Sequence, residues 1–171
     1  MAKASTLFEI MSKDKVDPDE MMFHMNNDLY QTKTAGMFVT SILGEYNLIN
    51  DEIRWVNAGH QPALVREKSG NYSEFNSSST PLGVIKHKDK SVYKMEKIKL
   101  NEGRFYVFTD GLSESLNEKG EEIGVEGSIK IIENNFNSDL KKQLKDVTSE
   151  TIETAQNKSL SDDLTLVAVG K

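Results

Sequence analysis

The sequence predicts an α+β fold in which helices cover mainly antiparallel sheets, and three observations carry that prediction. Apolar residues repeat at helical spacing near both ends of the chain, about six short β-branched and aromatic runs separated by turn residues fill the middle, and one more apolar run closes it. The chain has 171 residues, 37% of them hydrophobic and 28% charged, which suits one domain around one sizeable core.

The elements follow in order. Leu7, Ile10 and Met11 lie at helical spacing in the first segment, Met1 to Met11, which reads as a helix with no N-terminal cap before it. That points to a helix beginning further upstream in a longer parent protein. The second helix has its own start signals: Asp17 to cap, Pro18 at the first helical position, Asp19 and Glu20 at the positive end of the dipole. Met22, Met25 and Leu29 then repeat on one face, and the helix is expected to end near Thr32. Met21, Met22 and Met25 read as core or face residues.

From Gly36 the period changes. Met37–Leu43 and Glu52–Asn57 around Asn50-Asp51 predict a hairpin, and Ala63–Arg66 with Tyr72–Phe75 predict a second, Gly70 supplying positive φ at its turn. Strands are expected near Ser91–Leu100 and over Arg104–Thr109, helices over Gly127–Asn135 and Leu140–Ala155, and a last strand over Leu164–Val169. No repeat or long linker interrupts the chain.

Composition excludes several classes. A formal charge of −6 opposes phosphate backbones and anionic bilayers, so neither nucleic acid nor a membrane is an expected partner. Without cysteine there are no disulfides, thiolate metal sites or thiol nucleophiles, and any metal must sit on oxygen or imidazole. No apolar run approaches the roughly 20 residues of a membrane span, and no signal peptide pattern opens the chain, so the expected compartment is the cytoplasm. There is no Gly-x-Ser-x-Gly elbow, Walker loop or dinucleotide fingerprint.

Two acidic points lie at strand ends, where a fixed backbone can hold a carboxylate. Asp110 follows Phe105–Thr109 and precedes Gly111; Asp162 and Asp163 precede Leu164–Val167. Locally, a plain Asp-Gly turn is the favoured account of Asp110, and an exposed acidic turn accounts for Asp162 and Asp163 equally well. Together, carboxylates from distant parts of the sequence suit a hard divalent cation, because magnesium and manganese take oxygen ligands. Asn57-Ala-Gly-His60-Gln-Pro62 also follows a strand and reads as a structural corner in which the His60 imidazole bonds nearby backbone, while His24 and His87 form no cluster with it. Pro81-Leu-Gly83 reads as a rigid turn.

The ordered set Gly36-Met-Phe-Val-Thr40, Val56-Asn-Ala-Gly-His60-Gln-Pro62, Pro81-Leu-Gly83, Phe108-Thr-Asp-Gly-Leu-Ser-Glu114 and Ser161-Asp-Asp-Leu-Thr-Leu-Val167 resembles the PPM-type phosphatases of the bacterial stage II sporulation protein E and sigma-factor-regulator branch. The resemblance runs over essentially the whole chain. It implies a β-sandwich flanked by helices, and hydrolysis of phosphoserine or phosphothreonine on a regulatory partner, often an anti-sigma-factor antagonist, by water activated between two manganese or magnesium ions. It also implies that Asp110 and Asp162 are metal ligands, with Asp163 ranked behind them, that Gly111 lets the backbone approach the site, and that His60 and Glu114 are supporting residues.

One departure qualifies these expectations: the family's upstream glycine-flanked aspartates, including the carboxylate that bridges both metals, have no counterpart in residues 1–171. The chain therefore reads as the C-terminal two-thirds of such a domain, with its metal site incomplete and inactive or non-catalytic behaviour as the rival expectation. Sheet edges left open by the missing strands would invite self-association.

Overall fold

The computed structural model describes residues 2–32, 37–117, 119–154 and 162–170. Met1, Gly36, Ala155 and Ser161, which belong to expected elements or motifs, lie outside the described residues. In chain order the elements are α1 (Ala2–Lys13), α2 (Pro18–Thr32), β1 (Ser41–Asn47), β2 (Glu52–Ala58), β3 (Ala63–Arg66), β4 (Tyr72–Phe75), a 3₁₀ turn (Lys90–Val92), β5 (Glu96–Lys99), β6 (Arg104–Phe108), α3 (Asp110–Ser113), α4 (Gly124–Asn134), α5 (Leu140–Thr154) and β7 (Leu166–Gly170). They fall into two units, residues Met1–Pro62 with Phe75–Leu100, and residues Ala63–Glu74 with Asn101–Lys171.

The first unit holds an antiparallel sheet ordered β1-β2-β5 together with α1 and α2. The hairpin register runs from Ser41 opposite Ala58 to Asn47 opposite Glu52, and Asp51 takes the left-handed conformation (φ 56°) that closes the turn. α2 starts and ends where its signals placed it, with the Asp17 carbonyl accepting the Met21 N–H at 2.9 Å. Its Met21, Met22 and Met25 are all buried, packed with Val56, Ala58, Leu82 and Tyr93. Thioether chains fill such irregular gaps well, and truncating fully buried Met22 to alanine costs about 2–5 kcal/mol.

Two expected strands change here. β1 begins at Ser41 rather than Met37, because Val39 exchanges both backbone hydrogen bonds with Leu82 (3.0 and 2.7 Å) in an isolated bridge. Pro81-Leu-Gly83 is therefore a pairing partner as well as a turn. The run Ser91–Leu100 divides into the 3₁₀ turn and β5, since Asp89 Oδ1 accepts the Ser91 N–H at 2.7 Å and winds the chain locally instead of extending it.

The second unit holds a sheet ordered β4-β3-β6-β7, with α3, α4 and α5. Gly70 (φ 94°) and the bond from Glu67 N–H to Asn71 C=O (2.8 Å) close the β3–β4 turn as anticipated. Leu64, Tyr106, Phe108, Leu112, Ile132 and Val147 form its core. Polar side chains fasten the helices: buried Arg104 donates to Gln143 Oε1 and Asn137 C=O, both at 2.5 Å, and to Ser138 C=O at 3.0 Å. Gln143 donates onward to Ile132 C=O at 3.1 Å, so the buried guanidinium and amide satisfy one another. Arg66 pairs with Glu133 through two hydrogen bonds (2.7 and 2.9 Å) and stacks on Phe136 at 3.6 Å. Antiparallel sheets flanked by helices, the expected α+β class, are what the chain forms.

Candidate functional site

The Asp110 corner is built at the end of β6. Thr109 is extended, and its hydroxyl is not spent on capping α3: Oγ1 donates to Asp163 C=O at 2.7 Å and accepts the Thr165 N–H at 2.9 Å. The Thr109 N–H donates to Thr165 C=O at 3.0 Å. These three bonds stitch the end of β6 to the segment that enters β7. Gly111 then brings the two backbones together, for a Cβ there would lie 2.6 Å from the Asp163 carbonyl oxygen and 3.0 Å from that of Asp162. Any larger residue would push the segments apart.

This close approach sets three carboxylates on two neighbouring segments. Asp110 is half-buried at the start of α3, where its Oδ1 accepts the Gly111 N–H at 3.0 Å. Asp162 and Asp163 are exposed, and Asp162 Oδ1 accepts the Asp163 N–H at 2.7 Å. Among the described residues no lysine or arginine forms an ion pair with any of the three. Glu114 is exposed one helical turn on, its N–H donating to Asp110 C=O at 2.8 Å.

The His60 corner belongs to the first unit. It is organised by Asn57, which is 3% exposed, accepts the His60 N–H at Oδ1 (2.9 Å) and donates from Nδ2 to Gln61 C=O (2.9 Å). Gly59 takes φ 70° and sits against Pro81, whose Cδ would be 2.7 Å from an added Cβ. Its N–H donates to Ser77 Oγ at 2.6 Å. At the corner expected around the imidazole, the Asn57 amide holds the His60 N–H and the Gln61 carbonyl.

Hard carboxylate oxygens at Asp110, Asp162 and Asp163 match the chemistry of a small divalent cation. Among the described residues, however, no group of three or more acidic or imidazole side chains converges closely enough to hold a metal ion, so the donor set is partial. Sequence reasoning missed Thr109 and Asn57 as positioning residues. The available signal was a polar side chain with a glycine two residues on at each strand end, Asn57–Gly59 and Thr109–Gly111.

The family model for Stage II sporulation protein E (SpoIIE) matches residues 1–171. Among curated proteins, the chain is 25% identical over 158 residues to the phosphoserine phosphatase RsbU of Bacillus subtilis (strain 168), covering 90% of this chain and 45% of RsbU. It therefore spans less than half the length of that relative. Among solved structures it matches the PP2C phosphatase domain with a fragment of the regulatory domain of SpoIIE from Bacillus subtilis, with a TM-score of 0.82 at 18% identity, covering 99% of this chain and 49% of that one. It also matches RsbX in complex with magnesium, with a TM-score of 0.66 at 15% identity, covering 98% of this chain and 70% of that one. These likenesses carry the fold, and the family match, which runs from the first residue to the last, carries the membership: the chain belongs to the SpoIIE family of PPM-type phosphatase domains.

Proposed function

We propose that this chain is the greater part of a metal-dependent phosphatase domain that hydrolyses phosphoserine or phosphothreonine on a regulatory partner protein of the kind that antagonises an anti-sigma factor. The observation that carries the reading is the approach of Gly111 to the Asp163 carbonyl, 2.6 Å from where a Cβ would stand, which brings the backbone next to Asp110 against the 162–163 segment. Support also comes from RsbU, a phosphoserine phosphatase, and from RsbX, whose crystals contained magnesium.

In this reading Asp110 and Asp162 hold manganese or magnesium, Asp163 is a secondary ligand, and Gly111, Glu114 and His60 support the two corners. Further ligands beyond these are needed, since no group of three or more metal-capable side chains converges among the described residues. Two cations bound there would offset charge on the phosphoryl oxygens and make water a nucleophile at neutral pH. Thr109 keeps the two ligand-bearing segments in register, and the Gly111 and Asp163 N–H groups each orient one carboxylate oxygen.

A second reading, a binding module without catalysis, is favoured by the same partial donor set. Manganese-dependent hydrolysis of p-nitrophenyl phosphate separates the two, measured on this chain and on the protein extended upstream through a glycine-flanked aspartate motif. Activity in the extended protein supports the phosphatase; inactivity of both, with no metal uptake by calorimetry, gives the binding module.

A further inference from the structure

Within the first unit, the Val39–Leu82 bridge brings two short apolar runs to one edge. Met37 and Phe38 are each 61% exposed, Val84 is 41% and Ile85 49%, and the Met37 carbonyl lies 3.8 Å from where a Gly83 Cβ would be. Large side chains gathered in this way are uncommon on a surface that meets only water. The loop that carries Val84 and Ile85 is also held firmly. Asn26, fully buried in α2, donates to Ile85 C=O (2.9 Å) and accepts the Gly83 N–H (2.9 Å), while Asn27 donates to His87 C=O and accepts the His87 N–H, both at 3.0 Å. Four hydrogen bonds from two adjacent side chains fix a loop whose own side chains face outward, so little ordering entropy remains for a partner to supply.

The charge beside this patch opposes that of the whole chain. Val84 to Lys90 contains Lys86, Lys88 and Lys90 against Asp89 alone, in a chain of net charge −6. Lys90 is engaged by Asp19 (3.1 Å) and Glu20 (3.5 Å), whereas Lys86 and Lys88 are exposed without an acidic partner among the described residues. Two copies meeting patch to patch would set lysines against lysines, and the acidic chain as a whole is repelled by an anionic bilayer.

We propose that Met37, Phe38, Val84 and Ile85, flanked by Lys86 and Lys88, form a docking surface for a partner protein segment that presents acidic side chains around apolar anchors. The surface stands independently of the phosphatase reading. Selection from a random short-peptide display library on this chain tests it, followed by fluorescence anisotropy with a labelled copy of the enriched peptide. Enriched peptides combine acidic residues with aliphatic or aromatic ones, and affinity falls by about tenfold or more in Ile85→Asp and in Lys86→Glu/Lys88→Glu. Both variants alter exposed positions, and unchanged thermal unfolding confirms that they fold. Peptides without acidic enrichment, or equal affinity in the variants, would overturn the proposal. So would binding of phosphatidylglycerol vesicles that these substitutions abolish, which would assign the patch to a membrane, or a dimer that Ile85→Asp dissolves, which would assign it to a second copy.

Discussion

The Asn57 and Thr109 corners use one device to different ends. Each places a polar side chain at the end of a strand, a glycine two residues on and a close approach at that glycine. At the first, Gly59 meets the ring of Pro81, and the Asn57 amide spends both its ends on the loop's own backbone. At the second, Gly111 meets the carbonyl of a residue 52 positions later in sequence, and the Thr109 hydroxyl bonds across to that same segment. The first ties the His60 loop to the 77–81 segment; the second ties the end of β6 to the 162–165 segment. What lies opposite the glycine decides which segment a strand-end turn is tied to.

Substituting the glycines should widen that contrast most. Gly59→Ala meets the Pro81 ring and also forces a side chain into positive φ, so it should cost about 2–4 kcal/mol, read by urea unfolding. Gly111→Ala has only the approach to relieve, which the 162–163 segment does by moving away. Its expected cost is about 1–3 kcal/mol, with the larger loss in metal affinity. Equal metal affinity in wild type and Gly111→Ala would break the distinction.

The polar side chains come next. Thr109→Val removes one donated and one accepted hydrogen bond and should destabilise by about 1–2 kcal/mol, whereas Thr109→Ser keeps the hydroxyl and should stay within about 0.5 kcal/mol of wild type, both by denaturant titration. Asn57→Ala leaves the His60 N–H and Gln61 C=O without their partner and should cost about 1–3 kcal/mol while leaving metal affinity unaltered.

The smallest effect lies outside both corners. Two hydrogen bonds from Arg66 hold the Glu133 carboxyl below its ordinary value of 4.5. A carboxyl lowered on folding contributes stability that is fully present above its unfolded pKa and fades as pH falls through the folded one. Stability should therefore decline below about pH 4.5 with a shallower slope in Glu133→Gln than in wild type, and identical slopes would remove this pair from the acid response.

Much of this was legible in the sequence because it depends on local signals. Asp17-Pro18 fixed the start of α2, Gly70 its hairpin turn, and the period-two runs the strands β2, β3 and β6. Features that depend on non-local partners were hidden. Met37–Thr40 has good strand chemistry, yet its hydrogen bonds go to Leu82, 43 residues from Val39, and no local pattern announces that. Buried Arg104 looks like a surface charge until Gln143 and the Asn137 and Ser138 carbonyls surround it. Asp110 and Asp162 were identifiable as strand-end carboxylates and through motif order. The hydroxyl and the missing Cβ that tie the segments bearing them together required coordinates.

The proposal that the Thr109 corner supplies part of a divalent-metal site is tested most directly by calorimetric titration of manganese into the upstream-extended protein and its Asp110→Asn, Asp162→Asn and His60→Ala variants. Manganese affinity should fall by more than about 100-fold in each aspartate variant, since losing a charged ligand exceeds the 10–100-fold typical of outer-shell changes, and should hold within about tenfold in His60→Ala. Undiminished affinity in both aspartate variants would contradict the account.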